Sequence, residues 1–230
     1  MAEARRRRAL ITRPQEDSAD IAVALARRGV TPILAPMMTI RISNAEIAAD
    51  VNGAQAILFT SRNGVRAFCR QSQRRDIDVF AVGDSTATLA RDNGFATVES
   101  AAGDSDALAR LVREKLRPAD GPLFHPAGAD VAGSLAETLS AAGFRVLRRT
   151  LYEAVPIEEL TSQTRTALET GELDYILFFS PRTARIFSER VTDAGLGQTC
   201  ARLRAVCLSD AVSAELDAAA WGGVHVAAEP

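Results

Sequence analysis

Six short segments set small hydroxyl-bearing and other polar residues where chemistry could sit: Thr12-Arg13-Pro14, Thr60-Ser61-Arg62-Asn63, Gly83-Asp84-Ser85-Thr86, His125-Pro126-Ala127-Gly128, Ser180-Pro181-Arg182 and Ser209-Asp210-Ala211. Each follows a short apolar run, and most precede a helical pattern. The start of a helix leaves backbone amides unpaired, and these attract anions even without a cationic side chain. The chemistry on offer is recognition of anionic oxygens by amides and hydroxyls. For any single loop, Ser or Thr as a plain N-cap is the simpler reading. Six such loops, in two groups, would together suit a large polyanion. Arg13, Arg62 and Arg182 stand just past strand patterns and within reach of carboxylates, although solvation is the commoner fate of such arginines.

Tyr152 is the other residue of interest. It lies in Leu147-Arg148-Arg149-Thr150-Leu151-Tyr152-Glu153-Ala154-Val155-Pro156, whose alternation places Thr150, Tyr152 and Ala154 on one side of a strand and Leu151, Glu153 and Val155 on the other. Pro156 lacks a donor and should stop the ladder there. An isolated Tyr in a strand is more often a half-buried packing residue than a reagent. Its position raises its interest, because this extended stretch joins two runs of strand-and-helix signals. A second such stretch, 35–42, does the same early in the chain. Two crossings suggest a body in two lobes tied together twice.

Several catalytic patterns are absent from the sequence. It has no Gly-x-Gly-x-x-Gly, no Gly-Lys-Ser/Thr phosphate loop and no Gly-x-Ser-x-Gly elbow. His125, beside Pro126, reads as a capping or packing residue rather than a general base. Cys69, Cys200 and Cys207 have neither Cys-x-x-Cys spacing nor an even count, and with only His125 and His225 no metal-ligand set forms. This cysteine usage suits a reducing cytosol. No segment reaches the ~20 apolar residues of a membrane helix, and the N-terminus lacks a signal-peptide core. The reading is a cytoplasmic, metal-free protein.

The elements that must position these residues follow a regular rhythm. Ala9-Leu10-Ile11 is a buried strand; Asp17 or Ser18 caps a helix carrying Ile21, Ala24, Leu25 and Arg28; Gly29 ends it, and 31–34 is the next strand. A helix over 44–50 follows. Strands over 56–59, 79–82 and 96–98 then alternate with helices, one of them carrying Val65 and Phe68 and another capped by Ser105. Leu123-Phe124 leads through the His125 loop into a helix marked by Val131, Leu135 and Leu139, with a strand after Gly143. Beyond Pro156 come a helix over 158–169, a strand over 175–179, a helix with Ile186 and Phe187, a strand over 205–208, a further helix and a last strand over 224–226.

Length and composition suit this pattern. The 230 residues can form one large or two small domains, 47 % are apolar and 24 % charged, and the net charge is only -2. That charge creates no field to draw nucleic acid or a membrane surface. The one basic cluster, Arg5 to Arg8, reads as a solvated flank rather than a polyanion-binding arm.

The pattern also repeats. The stretch ending in Thr60-Ser61 resembles the one ending in Phe179-Ser180; Val82-Gly83-Asp84-Ser85 resembles Leu208-Ser209-Asp210-Ala211; and the unit closed by Gly29 resembles the unit closed by Gly143. Each match is weak by itself, but three in order point to a duplicated α/β architecture with parallel sheets. Ligands of such sheets bind outside the carboxyl ends of the strands, where the six loops lie.

In these stretches the chain resembles the uroporphyrinogen-III synthase family. The resemblance is carried by Leu10-Ile11-Thr12-Arg13-Pro14, the stretch from Ile57 to Ser61, that from Ala81 to Ala87, Leu123 to Gly128, Thr150-Leu151-Tyr152-Glu153-Ala154, and Leu177-Phe178-Phe179-Ser180-Pro181. It implies two flavodoxin-like α/β lobes joined by a two-stranded linker. Lobe one would be 1–35 with 156–230, lobe two 42–149, and the linker 36–41 with 150–155. It further implies a monomer that uses no cofactor and cyclises hydroxymethylbilane, with loss of water and inversion of the last ring through a spiro intermediate. Tyr152 would then be the catalytic residue, near the leaving hydroxyl. The substrate's carboxylates would meet Thr12, Arg13, Thr60, Ser61, Arg62, Thr86, Gly128, Ser180 and Ser209. Two departures stand out. Ala211 and Val212 replace a Thr usual in the family, leaving Ser209 or Ser213 to supply that hydroxyl. The chain also stops at Pro230, where the family adds a final helix. The competing class is a non-catalytic binding or regulatory protein of the same fold.

Overall fold

The computed structural model describes residues 5–130 and 134–228. In chain order the elements are β1 (Arg7–Ile11), α1 (Ala19–Arg27), β2 (Val30–Leu34), β3 (Met38–Ile42), α2 (Ala48–Asn52), β4 (Ala56–Phe59), α3 (Arg62–Gln71), β5 (Asp78–Ala81), α4 (Asp84–Asp92), β6 (Val98–Ser100), α5 (Ser105–Lys115), β7 (Leu123–Gly128), α6 (Leu135–Ala141), β8 (Val146–Pro156), α7 (Ser162–Glu169), β9 (Tyr175–Phe178), α8 (Pro181–Asp193), β10 (Arg204–Cys207), α9 (Asp210–Ser213) and β11 (Gly223–Val226). The chain divides into two compact units, Met1–Thr39 with Val155–Pro230 and Ile40–Ala154. The result is a mixed α/β fold with two sheets built mainly of parallel strands.

In the first unit the strand order is β11-β10-β9-β1-β2. Its strands pair in parallel, and helices cover them, so Ala9, Leu10, Ile11, Ile176 and Ala205 are all fully buried. This explains why they read as unbroken apolar runs rather than alternating ones. Phe178, Phe187 and Trp221 pack with ring centroids 5.4–6.1 Å apart. The Arg5 to Arg8 flank is tied to the unit rather than merely solvated. Arg5 meets Asp174 at 2.9 Å, Arg8 pairs with Glu172, and Arg7 donates to the Tyr175 hydroxyl at 3.0 Å.

In the second unit the order is β3-β8-β7-β4-β5-β6. One face of the sheet buries Ile57, Phe59, Phe68, Phe95 and Phe124, and the other buries Leu58, Phe80, Leu108, Leu123 and Leu139. Strand β3 lies beside β8. Ser43 N–H donates to Leu151 carbonyl, and Ile157 N–H donates to Met37 carbonyl, so the two strands run antiparallel. Strand β8 ends at Pro156, as expected, and the Ile157 amide makes one last bond just past that end.

The two sheets share one plan with a permuted chain order. Reading β9-β10-β11-β1-β2 against β4-β5-β6-β7-β8 gives the same spatial arrangement. Val82 N–H donates to Phe59 carbonyl at 2.9 Å, as Leu208 N–H does to Phe178 carbonyl at 3.0 Å. Gly29 (φ 73°) and Gly143 (φ 87°) end equivalent helices. Ala9 pairs with Tyr175 as Leu123 pairs with Ala56, which makes His125 the counterpart of Ile11.

Local expectations fail in five places. The 44–50 helix begins only at Ala48, and the 158–169 helix only at Ser162, where Thr161 caps it by accepting from Thr164 N–H. Asp104, not Ser105, caps α5, accepting from the amides of Asp106 and Ala107. Ser18 occupies its cap position without capping; its hydroxyl donates back to Pro14 carbonyl at 3.0 Å. His125-Pro126-Ala127-Gly128 continues β7 rather than forming a loop. Val131, expected to mark the following helix, lies outside the described residues.

Candidate active site

The site in the second unit begins where strand pairing stops. Successive strands run β4, β5, β6 to one side, and the chain then returns to place β7 on the other side of β4. A crevice opens at such a reversal of strand order. Here β4 pairs with β7 only at Ala56–Leu123 and Ile57–Phe124. Beyond Phe124, β7 pairs with β8 alone, so Pro126 removes no bond to β4 and is tolerated inside the sheet. A cleft of ≈ 700 Å³ lies there, lined by Thr60, Ser61, His125, Gly128, Arg148 and Tyr152 among others. That volume is in the range of small-molecule sites.

Tyr152 reaches the cleft through a bulge. Ala127 pairs with Thr150, but Gly128 pairs with Tyr152, so β8 carries one extra residue, Leu151. The extra residue breaks the strict alternation, and Leu151 and Tyr152 pack against the same apolar cluster. The Tyr152 hydroxyl then lies 2.7 Å from Ser61 Oγ. Ser61 is fixed in turn, since as N-cap of α3 it accepts from Gly64 N–H at 3.1 Å. Gly64 permits this because a Cβ there would sit 2.9 Å from the Pro126 carbonyl oxygen. The result is a short relay of amide, serine hydroxyl and phenol.

Gly128 shapes the same corner. A Cβ at this position would lie 2.9 Å from Tyr152 Cε2 and 3.1 Å from its hydroxyl oxygen. The ring is held by the core on one side and by Ser61 on the other, so it has little room to yield. Gly128→Ala is expected to separate Tyr152 from Ser61 and to destabilise by about 1–3 kcal/mol, the usual cost of overpacking. A crystal structure of the variant with an unchanged 2.7 Å Ser61–Tyr152 contact would contradict this.

His125 is 2 % exposed, and its Nε2 lies 3.2 Å from Thr60 Oγ1. Burial, and secondarily the Arg148 guanidinium, push its pKa down to about 4, so the ring is neutral at pH 7. Arg148 is its register partner on β8 and donates to Gly128 carbonyl at 2.9 Å. Asp104, Asp130 and Glu137 also line the cleft. The Asp104 carboxyl is held below its usual range, first by the Ala107 amide.

The remaining predicted residues lie elsewhere. Thr86 is buried in the first turn of α4, and Arg62 donates to Ser85 Oγ at 3.1 Å; neither lines the cleft. Thr12, Arg13, Ser180 and Ser209 gather at the carboxyl ends of β1, β9 and β10 in the first unit. Thr12 donates its hydroxyl to Leu177 carbonyl at 2.7 Å, and Arg13 lies 4.8 Å from the Phe179 ring centroid. Ser180 caps α8, accepting from Thr183 N–H at 3.2 Å. Ser209 precedes α9 and makes no side-chain cap bond, while Ser213 donates to Asp210 carbonyl and Val212 is buried. Of the two serines offered in place of the family's Thr, Ser209 has the less committed hydroxyl.

Sequence reasoning passed over His125 as a site residue and missed Arg148 altogether. A signal for the histidine was present, because the repeat sets an imidazole where its counterpart has Ile11. Burial raises the thiol pKa of Cys69, Cys200 and Cys207, the direction of unreactive cysteines. Among the described residues no His/Cys/Asp/Glu group is placed to hold a metal ion, and no helix is long and apolar enough to cross a membrane.

A family model described as uroporphyrinogen-III synthase HemD matches residues 19–230. A uroporphyrinogen-III synthase of Chlorobaculum parvum is 26 % identical over 193 residues, which are 79 % of this chain and 78 % of that protein. Among solved structures, uroporphyrinogen-III synthetase of Helicobacter pylori is similar with a TM-score of 0.67 at 15 % identity, over 97 % of this chain and 93 % of its own. A mutant uroporphyrinogen III synthase of Thermus thermophilus is similar with a TM-score of 0.52 at 18 % identity, over 95 % and 92 %. At such identities the structural likeness speaks for the fold alone.

Proposed function

We propose that this chain, which belongs to the uroporphyrinogen-III synthase family, cyclises hydroxymethylbilane with loss of water and inversion of the last pyrrole ring. The observation that carries the reading is the 2.7 Å contact of Tyr152 with Ser61 in the cleft of the second unit. In this reading Ser61 Oγ accepts from Gly64 N–H and donates a hydrogen bond to the Tyr152 oxygen. The phenol proton is then free to go to the departing hydroxyl of the first ring. Water leaves, and that ring becomes an azafulvene. The last ring attacks it through its substituted carbon, forming the spiro intermediate. This fragments and recloses through the other carbon, and the proton released there balances the one consumed.

The pyrroles supply most of the electronic push, so the protein's main task is to hold a folded substrate conformation. Thr60, Ser61 and Gly128 serve the cleft, with Arg62 and Thr86 beside it. Thr12, Arg13, Ser180 and Ser209 offer carboxylate contacts at the strand ends of the first unit. In this reading 36–41 and 150–155 are the linker between lobe one (1–35 with 156–230) and lobe two (42–149). The protein works as a cytoplasmic monomer without a cofactor, and sedimentation equilibrium checks its mass.

The test is to supply hydroxymethylbilane and identify the porphyrinogen isomer. Inverted product above the spontaneous background supports the synthase, whereas only the uninverted isomer supports the non-catalytic binding protein. Amides and hydroxyls carry most of the carboxylate binding in this reading. Arg13→Ala, Arg62→Ala and Arg182→Ala are therefore each expected to raise KM only a few-fold, about 1 kcal/mol or less. Abolition of activity by one of them, with an unchanged melting temperature, would replace this picture with a single cationic clamp.

A further inference from the structure

We propose that His125 is a positioning residue: through Nε2 it fixes the Thr60 hydroxyl as a hydrogen-bond donor toward a substrate carboxylate in the cleft of the second unit. The proposal deepens the synthase reading and rests on it for the identity of the ligand.

The argument starts from an inconsistency in the repeat. The first unit fills this place with Ile11, and there β1–β9 pairing continues through Ile11–Leu177. In the second unit β4–β7 pairing ends one residue earlier, at Phe124, and a buried imidazole follows. A buried ring that gives up strand pairing and aliphatic packing needs a compensating contact. The one it has is Thr60 Oγ1 at 3.2 Å, while Nδ1 has no partner.

The orphaned nitrogen selects the tautomer. A proton on Nδ1 would leave a buried N–H without an acceptor, the rarer and costlier defect. It would also set a positive hydrogen in the field of Arg148, whose charge already opposes a proton on this ring. A bare lone pair on Nδ1 is favoured by the same field. The proton therefore sits on Nε2 and is donated to Thr60 Oγ1. Thr60 becomes an acceptor toward the protein, and its own hydroxyl proton has no acceptor among the described residues.

A hydroxyl left with one free proton, in a cleft also lined by Arg148, offers a donor beside a cation. Arg148 spends one nitrogen on Gly128 carbonyl and keeps its charge. That pairing suits an acceptor-only anionic oxygen, and each pyrrole of the proposed substrate carries two carboxylates. Asp104, Asp130 and Glu137 line the cleft too and would repel a carboxylate, so the Thr60 hydroxyl and the Arg148 guanidinium are the groups that would receive one. Asp104 is already engaged by the Asp106 and Ala107 amides.

Two measurements decide the proposal. The chain has only two histidines, so nitrogen NMR of ring-labelled protein at neutral pH, with His225→Gln for assignment, reads His125 directly. A neutral, Nε2-protonated ring is expected, with that signal shifting in Thr60→Val; an Nδ1-protonated or cationic ring overturns the proposal. In steady-state assays with hydroxymethylbilane, Thr60→Val and His125→Ile are each expected to raise KM about tenfold, the size of one hydrogen bond, with kcat little changed. The double variant should be no worse than Thr60→Val, and His125→Gln, which keeps an N–H donor, should recover part of the loss. Additive losses, or a wild-type KM for His125→Ile, would reduce His125 to a packing residue. Wild-type protein that forms no inverted isomer sinks the synthase reading, whereas the ring spectrum still decides the His125–Thr60 arrangement.

Discussion

Tyr152→Phe is expected to slow formation of the inverted isomer by up to about 10²-fold, the low end for a positioned proton donor. The low end applies because the pyrrole nitrogen itself expels the hydroxyl. The substitution keeps the ring, which packs against the Ile57–Phe59–Phe68 cluster, and deletes only the oxygen that meets Ser61. The melting temperature should therefore stay unchanged, and more uninverted product should accumulate from spontaneous closure. Ser61→Ala makes a useful companion, since it removes both the relay and the N-cap of α3. It should add a stability loss of about 1 kcal/mol that Tyr152→Phe lacks. A Phe variant at the wild-type rate would remove Tyr152 from the chemistry and leave conformational control as the whole mechanism.

Acid is expected to weaken the fold through His125. Above pH 6.5 the ring is neutral in both the folded and unfolded chain and contributes no pH dependence. Its folded pKa lies near 4, so between these values the unfolded chain takes up a proton that the folded chain refuses. Stability falls as pH falls through this window and levels off below it, for a total on the order of 3 kcal/mol. The groups that set the shift are the burying strands and Arg148 on β8, with Thr60 as the polar contact. His125→Ile has nothing to protonate, so denaturant melts of the two proteins from pH 7.5 to 4 should diverge steadily in its favour. Parallel curves would mean that the imidazole is already hydrated or protonated in the folded state.

The sequence by itself determined the elements whose signals are local. Unbroken apolar runs such as Ala56–Phe59 dictated buried parallel strands, because both faces of such a strand are covered. Ser61 and Ser180 were legible as caps because a cap bond closes over three residues. The duplication was legible as well, since Val82 and Leu208 proved to make the same bond to the preceding strand. Helix starts were less secure where several polar residues adjoin, as at Asp104 against Ser105, because the choice depends on the backbone angles of the turn.

Tertiary structure alone decided how these pieces make a site. The strand orders are set by pairings between segments far apart in the chain, and neither partner carries a mark of the other. The bulge at Leu151 is the sharpest case. Alternation sent Leu151 and Tyr152 to opposite faces, but the extra residue against Gly128 packs both on one cluster and brings the phenol to Ser61. His125 shows the same limit, because beside Pro126 it reads as loop. Only the early end of β4–β7 pairing at Phe124, a register between strands over sixty residues apart, makes it a buried imidazole in contact with Thr60.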